Sequence, residues 1–115
     1  MLLLLYLSGI FIVSSMSNPT QYVHIKVWDK LAHFSEYIPV GLLLALWFKS
    51  LFRQMHFTAI IMMVFIMLVL LGIFDEFHQS FVPRRDPSVW DILADTLGGL
   101  AGALIALTFI IRKVK

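Results

Sequence analysis

Read for apolar and polar positions, the chain divides into four apolar stretches joined by short polar ones. Met1 to Val13 is unbroken and ends in Ser14-Ser15-Met16-Ser17-Asn18-Pro19. Residues 1 to 16 as a helix would reach about 24 Å, against ~30 Å for a hydrocarbon core, a span that works if both serines sit near the surface. A cleaved signal peptide is the alternative, but its leading region would carry no Lys or Arg, and Ser15-Met16-Ser17 is only a passable cleavage site. The expected reading is a short first transmembrane helix. Residues 18 to 30 form a polar connection with Pro19, His24, Lys26, Asp29 and Lys30. Leu31 to Phe48 is the second span, and Pro39 predicts a kink near residues 35 to 39. Lys49 to His56 reads as a basic turn and Phe57 to Phe74 as the third span. The loop Val82 to Trp90, with Pro83 and Pro87, leads to a fourth span from Asp91 to Ile111 and a basic tail, Arg112-Lys113-Val114-Lys115.

Composition fits that pattern. The chain has 115 residues, 60% hydrophobic and 14% charged, where soluble domains run nearer a quarter charged. One domain over residues 1 to 115 is the expectation. Without cysteine, disulfides, thiolate chemistry and Cys-ligated zinc are excluded. A net charge of +2, dispersed along the chain, points away from nucleic acid. The expected fold is an all-α membrane protein, a four-transmembrane-helix bundle with both termini cytoplasmic. That orientation follows from Lys49, Arg53, Arg112, Lys113 and Lys115 on one side against Lys26, Lys30, Arg84 and Arg85 on the other, three of which lie beside acids. Trp28 and Trp90 then fall at the outer boundary and Trp47 at the inner one.

Ionisable side chains at the ends of apolar segments are costly unless they pair or meet water, and so mark a candidate site. Asp29, His33, Glu36 and Val40 share one helical stripe, with Tyr37 beside it. Asp75, His78 and Gln79 lie together on the next helix, with Glu76 about 100° away, so that Glu76 is expected to turn toward a neighbouring helix or the loop arginines. Asp91, Asp95, Gly98 and Gly102 fall on one face of the last span. There Ala94, Gly98, Gly102 and Ala106 place a small residue at every fourth position, which allows close helix approach. Arg84 and Arg85 offer planar donors suited to carboxylate or phosphate.

The ordered residues Asp29-Lys30-x-x-His33-Phe34-x-x-Tyr37, then Gly41, then Asp75-Glu76-x-x-Gln79-x-Phe81-x-Pro83-x-Arg85, then Asp91-x-x-x-Asp95-x-x-Gly98 resemble the VanZ-like family of small bacterial integral membrane proteins. Ser14-Ser15 is similar to that family's pattern too. Arg84 stands where small residues are common in the family, and Asp95 where Asn is frequent. The resemblance implies a multi-pass protein of the bacterial cell (inner) membrane, with a polar motif facing outward near cell-envelope precursors. It also implies a relationship to a founding member associated with low-level teicoplanin resistance, without an agreed reaction.

The leading expectation is a pocket that binds or handles a phosphorylated lipid or lipid-linked cell-wall precursor. Its residues are Lys30, His33, Glu36, Tyr37, Asp75, Glu76, His78, Gln79, Arg84, Arg85, Asp91 and Asp95, with Arg84, Arg85 and Lys30 on phosphate. Two alternatives stay open. One is an enzyme acting on a lipid phosphate, with His33 or His78 as general base. The other is an accessory protein whose polar groups only tie the helices together. His33-x-x-Glu36 and Asp75-x-x-His78 would suit zinc, manganese or iron, yet without an HExxH motif no metal or other cofactor is expected. Membrane lipids are the expected partners, and a thin bundle leaves room for self-association.

Overall fold

The computed structural model describes residues 1–16 and 26–114, apart from the side chains at 26, 27, 111 and 114. His24, the Ser17-Asn18-Pro19 run and Lys115 lie outside the described residues, as does the Lys26 side chain. The described chain is helical: α1 (Leu2–Ser14), α2 (Lys26–Leu51), α3 (Phe57–Gln79) and α4 (Val89–Val114). Among the described residues, three helices, α2, α3 and α4, are long and apolar enough to cross a membrane. α1 is apolar but has only 13 residues, about 20 Å of helix.

The long helices outrun the apolar stretches that announce them. α2 begins five residues before Leu31, and α3 runs on through Asp75 to Gln79. A helix satisfies its own backbone groups, so it need not stop where the side chains turn polar, provided these find partners. Pro39 sits inside the continuous α2 and removes the N–H that would reach the Ser35 carbonyl.

α2 and α4 run in the same direction and meet backbone to backbone. A Cβ added at Gly98 would stand 2.0 Å from the Phe34 carbonyl oxygen, and one at Gly102 1.9 Å from that of Ile38. Gly41 is as tight, 1.7 Å from the Gly99 carbonyl oxygen. The small-residue stripe thus lies where expected, with Gly99 added on the side facing Leu68 of α3. Around this contact the core is Tyr37, Val40, Leu44, Ala45 and Phe48 of α2, Ile60, Val64 and Leu68 of α3, and Ala103, Ala106 and Leu107 of α4. Much of the outer surface is large and apolar, including Met62, Ile66, Leu70, Phe74, Leu97, Leu104 and Phe109, the surface of a protein solvated by lipid.

The α2–α3 hairpin is tied by Lys49, whose ammonium donates to the carbonyls of Arg53 (2.7 Å) and Met55 (2.8 Å) and lies 5.0 Å from the centre of the Phe57 ring. Trp28 and Trp90 are exposed at one end of the bundle and Trp47 at the other.

The contact geometry sets an expected outcome. Gly98→Ala or Gly102→Ala forces α2 and α4 apart and costs about 1–3 kcal/mol or more, whereas Gly9→Ala, with nothing within 4 Å of an added Cβ, stays close to neutral. Thermal unfolding of the detergent-purified variants checks the order; equal melting temperatures for all three would refute it.

Candidate functional site

All the polar groups that converge lie at one end of the bundle: the last turn of α1, the first turns of α2 and α4, and the last turns of α3. The α2–α4 glycine contact positions the pair at the centre. His33, one residue before Phe34, meets Asp95, three residues before Gly98, with Nδ1 2.9 Å from Asp95 Oδ1. Its Nε2 lies 3.9 Å from Asp91 Oδ2. One turn nearer the helix ends, Lys30 bonds Asp91 and stands 3.9 Å from Asp29. His33, Asp91 and Asp95 are all buried, Asp95 completely.

α3 brings Asp75, Glu76 and Gln79, all buried, to the same place. Asp75 accepts from Ser14 Oγ at 2.6 Å and from Gln79 Nε2 at 2.9 Å. Glu76 takes the Ser88 N–H at 2.6 Å, at the start of α4, where the unpaired amides of the first turn favour a carboxylate. The expected turn of Glu76 toward a neighbouring helix therefore holds, with the α4 N-terminus in place of the arginines. It does not take Glu76 out of the cluster, because α3 is wedged between its neighbours and two adjacent residues can face the same polar centre. Donor atoms of His33, Asp75, Glu76 and Asp95 all lie within 4.8 Å of one another; Asp29, His33 and Asp91 make a second such set.

Four expected residues lie elsewhere. Glu36 does not share the His33 face: the buried stripe runs through His33, Tyr37, Val40 and Leu44, a spacing of four, three and four. Glu36 is half-buried and lines a groove of about 750 Å³ between α1 and α2 with Leu5, Ile10, Val13, Pro39 and Leu42. His78 faces α1, its ring 4.2 Å from that of Phe11 and its Nε2 2.8 Å from Ser15 Oγ. Arg85 reaches the exposed carbonyls at the end of α1, with Nε 3.2 Å from Met16 O and Nη2 3.4 Å from Val13 O. It closes that helix end as basic residues do. Arg84 is exposed, with a left-handed backbone (φ 62°) and no hydrogen bond or ion pair among the described residues.

Sequence reasoning left four contributors without a role: Ser14 and Ser15, which join α1 to α3, Ser88, which receives Glu76, and Tyr6, whose hydroxyl donates to the Glu36 carbonyl at 2.9 Å. The serine pair stood out only through the family pattern, and no spacing rule could pair it with an acid some sixty positions away.

A family model described as VanZ/LLP1 matches residues 2–112, nearly the whole chain, α1 included. No curated protein and no solved structure matches.

The Lys30–Asp91 pair yields an ordering. Lys30→Met leaves the Asp91 carboxylate buried without its cation and destabilises by about 2 kcal/mol, below the about 3–5 kcal/mol of a fully buried pair because Lys30 keeps about a third of its exposure. Lys30→Met combined with Asp91→Leu recovers most of the loss. Melting temperatures of the single and double variants decide, and a double variant less stable than the single one would contradict this.

Proposed function

The chain belongs to the VanZ/LLP1 family, and on that premise we propose that it is a multi-pass membrane protein that binds a phosphorylated lipid, with the polar end of the bundle on the extracytoplasmic side. The observation that carries this is where the α1–α2 groove ends. The groove is apolar along most of its length and takes a hydrocarbon chain lying against the bundle. Val13 lines it, and the Val13 carbonyl is one of the two that hold the Arg85 guanidinium. A lipid whose tail follows the groove therefore presents its head beside Arg85 and the loop that carries Arg84.

Arg84 is the stronger candidate for phosphate. A non-glycine residue at φ 62° costs on the order of 1–2 kcal/mol, so a smaller residue would suit the backbone better, and the strained position leaves an exposed cation at the helix boundary. Lys30, by contrast, is committed to Asp91 and is not part of the phosphate site. Arg85 serves both as a nearby charge and as the cap of α1. The family's association with an envelope-directed antibiotic makes lipid-linked cell-wall precursors the first natural ligands to test.

Orientation rests on charge. Lys49, Arg53, Arg112 and Lys113 gather at the end away from the polar cluster, the arrangement of a cytoplasmic face. At the polar end Lys30 and Arg85 are engaged within the protein. Both termini are then cytoplasmic if α1 also crosses.

Arg84→Gly separates binding from stability. Its melting temperature stays level or rises, while retention of phosphatidylglycerol in native mass spectrometry from mixed phosphatidylglycerol and phosphatidylcholine micelles falls about five- to tenfold. Undiminished phosphatidylglycerol retention would overturn the phosphate role. Because the chain has no cysteine, single cysteines report sidedness cleanly. Phe81→Cys should react with an impermeant maleimide on intact cells and Arg53→Cys only after lysis; the reverse pattern inverts the topology.

A further inference from the structure

Glu76 and Asp95, each more than nine-tenths buried, carry one oxygen apiece with no partner among the described residues: Glu76 Oε1 and Asp95 Oδ2. Their other oxygens are spoken for, Glu76 Oε2 by the Ser88 N–H and Asp95 Oδ1 by His33. Buried polar atoms are nearly always satisfied, and each one that is not calls for a reason, an ion among them. Both belong to the four residues whose donor atoms draw together within 4.8 Å, His33, Asp75, Glu76 and Asp95. Three carboxylates there face a single imidazole, and Lys30 is bound to Asp91 instead.

We infer that His33, Asp75, Glu76 and Asp95 form a binding site for a divalent metal cation between α2, α3 and α4. The dimensions agree. Ligands at about 2.1–2.2 Å on opposite sides of an ion stand about 4.2–4.4 Å apart, inside the observed spread, and neighbouring ligands at right angles stand about 3.0 Å apart. His33 Nδ1 and Asp95 Oδ1, at 2.9 Å, already have the second separation. An ion takes the place of the proton those two atoms share. One nitrogen with several carboxylate oxygens suits manganese, iron or zinc. The shell behind the ligands is in place as well: Ser14 and Gln79 fix Asp75, and Ser88 fixes Glu76. Gly72 keeps side-chain bulk away from Asp95 Oδ2, which an added Cβ would approach to 3.6 Å.

The neighbouring set, Asp29, His33 and Asp91, is the weaker candidate. Asp29 is partly exposed, and Lys30 already stands against both of its acids. The inner site draws on α3 and α4 acids that take no part in the lipid groove, so it stands or falls separately from the proposed lipid binding. It differs also from the His33-Glu36 and Asp75-His78 pairs suggested by spacing, since Glu36 and His78 turn toward α1.

Tag-free protein, stripped with chelator in detergent and dialysed against MnCl2, provides the test. The unmodified chain is expected to retain a single Mn2+ whose electron spin echo shows a directly bound nitrogen, and its melting temperature rises with added Mn2+ and falls with chelator. Asp95→Asn and Glu76→Gln weaken Mn2+ binding by at least the about 10–100-fold typical of outer ligand partners, His33→Gln abolishes the nitrogen signal, and Asp29→Asn leaves binding unchanged. No bound Mn2+, or no response of the unmodified chain's melting temperature to Mn2+, overturns the assignment even if the variants fold poorly. So does binding lost in Asp29→Asn but kept in Asp95→Asn, which would place the ion in the outer set.

Discussion

The closeness of α2 and α4 governs everything at the polar end. Carbonyl oxygens of Phe34 and Ile38 lie where side chains of Gly98 and Gly102 would otherwise begin. In a membrane such contact is held by dispersion and packing, because lipid gives no hydrophobic drive for two apolar helices to associate. Once these backbones touch, the residues just beyond the contact have no freedom to separate. Lys30 falls opposite Asp91, and His33 opposite Asp95. α3 then leans on the same helix through Leu68 against Gly99, which carries Asp75 and Glu76 up to that pair.

α1 shows how a helix too short to be a clear span is still built into the bundle. Its side chains offer almost no amphipathic contrast, so packing specificity falls to its C-terminal end. There Ser14 bonds Asp75, Ser15 meets His78, Phe11 lies against the His78 ring, and Arg85 covers the open carbonyls. The same arrangement creates the apolar groove between α1 and α2, since α1 is fastened at that end and by Tyr6 to the Glu36 carbonyl, leaving open space in between.

Much of this was legible from residue spacing. The glycine stripe and the two acids above it identified the packed face of α4, because a run of small residues on a membrane helix has one main physical use. Gln79 and Asp75, four apart, share a face by helical period alone. What spacing could not resolve was which of two adjacent faces turns inward. Glu36 and Tyr37 are about 100° apart, and the choice falls to Tyr37 because the α4 glycines meet Phe34 and Ile38, which flank that face. The bond of Arg85 to the end of α1 was out of reach for a related reason. Its partners are backbone carbonyls at a helix end, and sequence marks acids as partners for arginine but leaves open carbonyls invisible. The helices outrun the apolar spans since apolar runs mark the hydrocarbon, while the helices continue to wherever the polar side chains are satisfied.

The arrangement also bears on whether the polar cluster only ties helices together. Glue of that kind gains by satisfying its own atoms, and a buried oxygen left without a donor costs about 1–3 kcal/mol. The α2–α4 contact does not need that help: glycine packing brings the helices together below His33 and Asp95, and Lys30–Asp91 clamps them above. Between those two fastenings, Asp95 and Glu76, both buried, still keep an oxygen each without a partner among the described residues. Apolar residues of similar volume would hold the helices as well without that expense. Carboxylates kept where stability gains nothing from them point to something they bind, and the groove that ends at Val13, beside Arg85, opens at the same end of the bundle, where the proposed lipid would present its head.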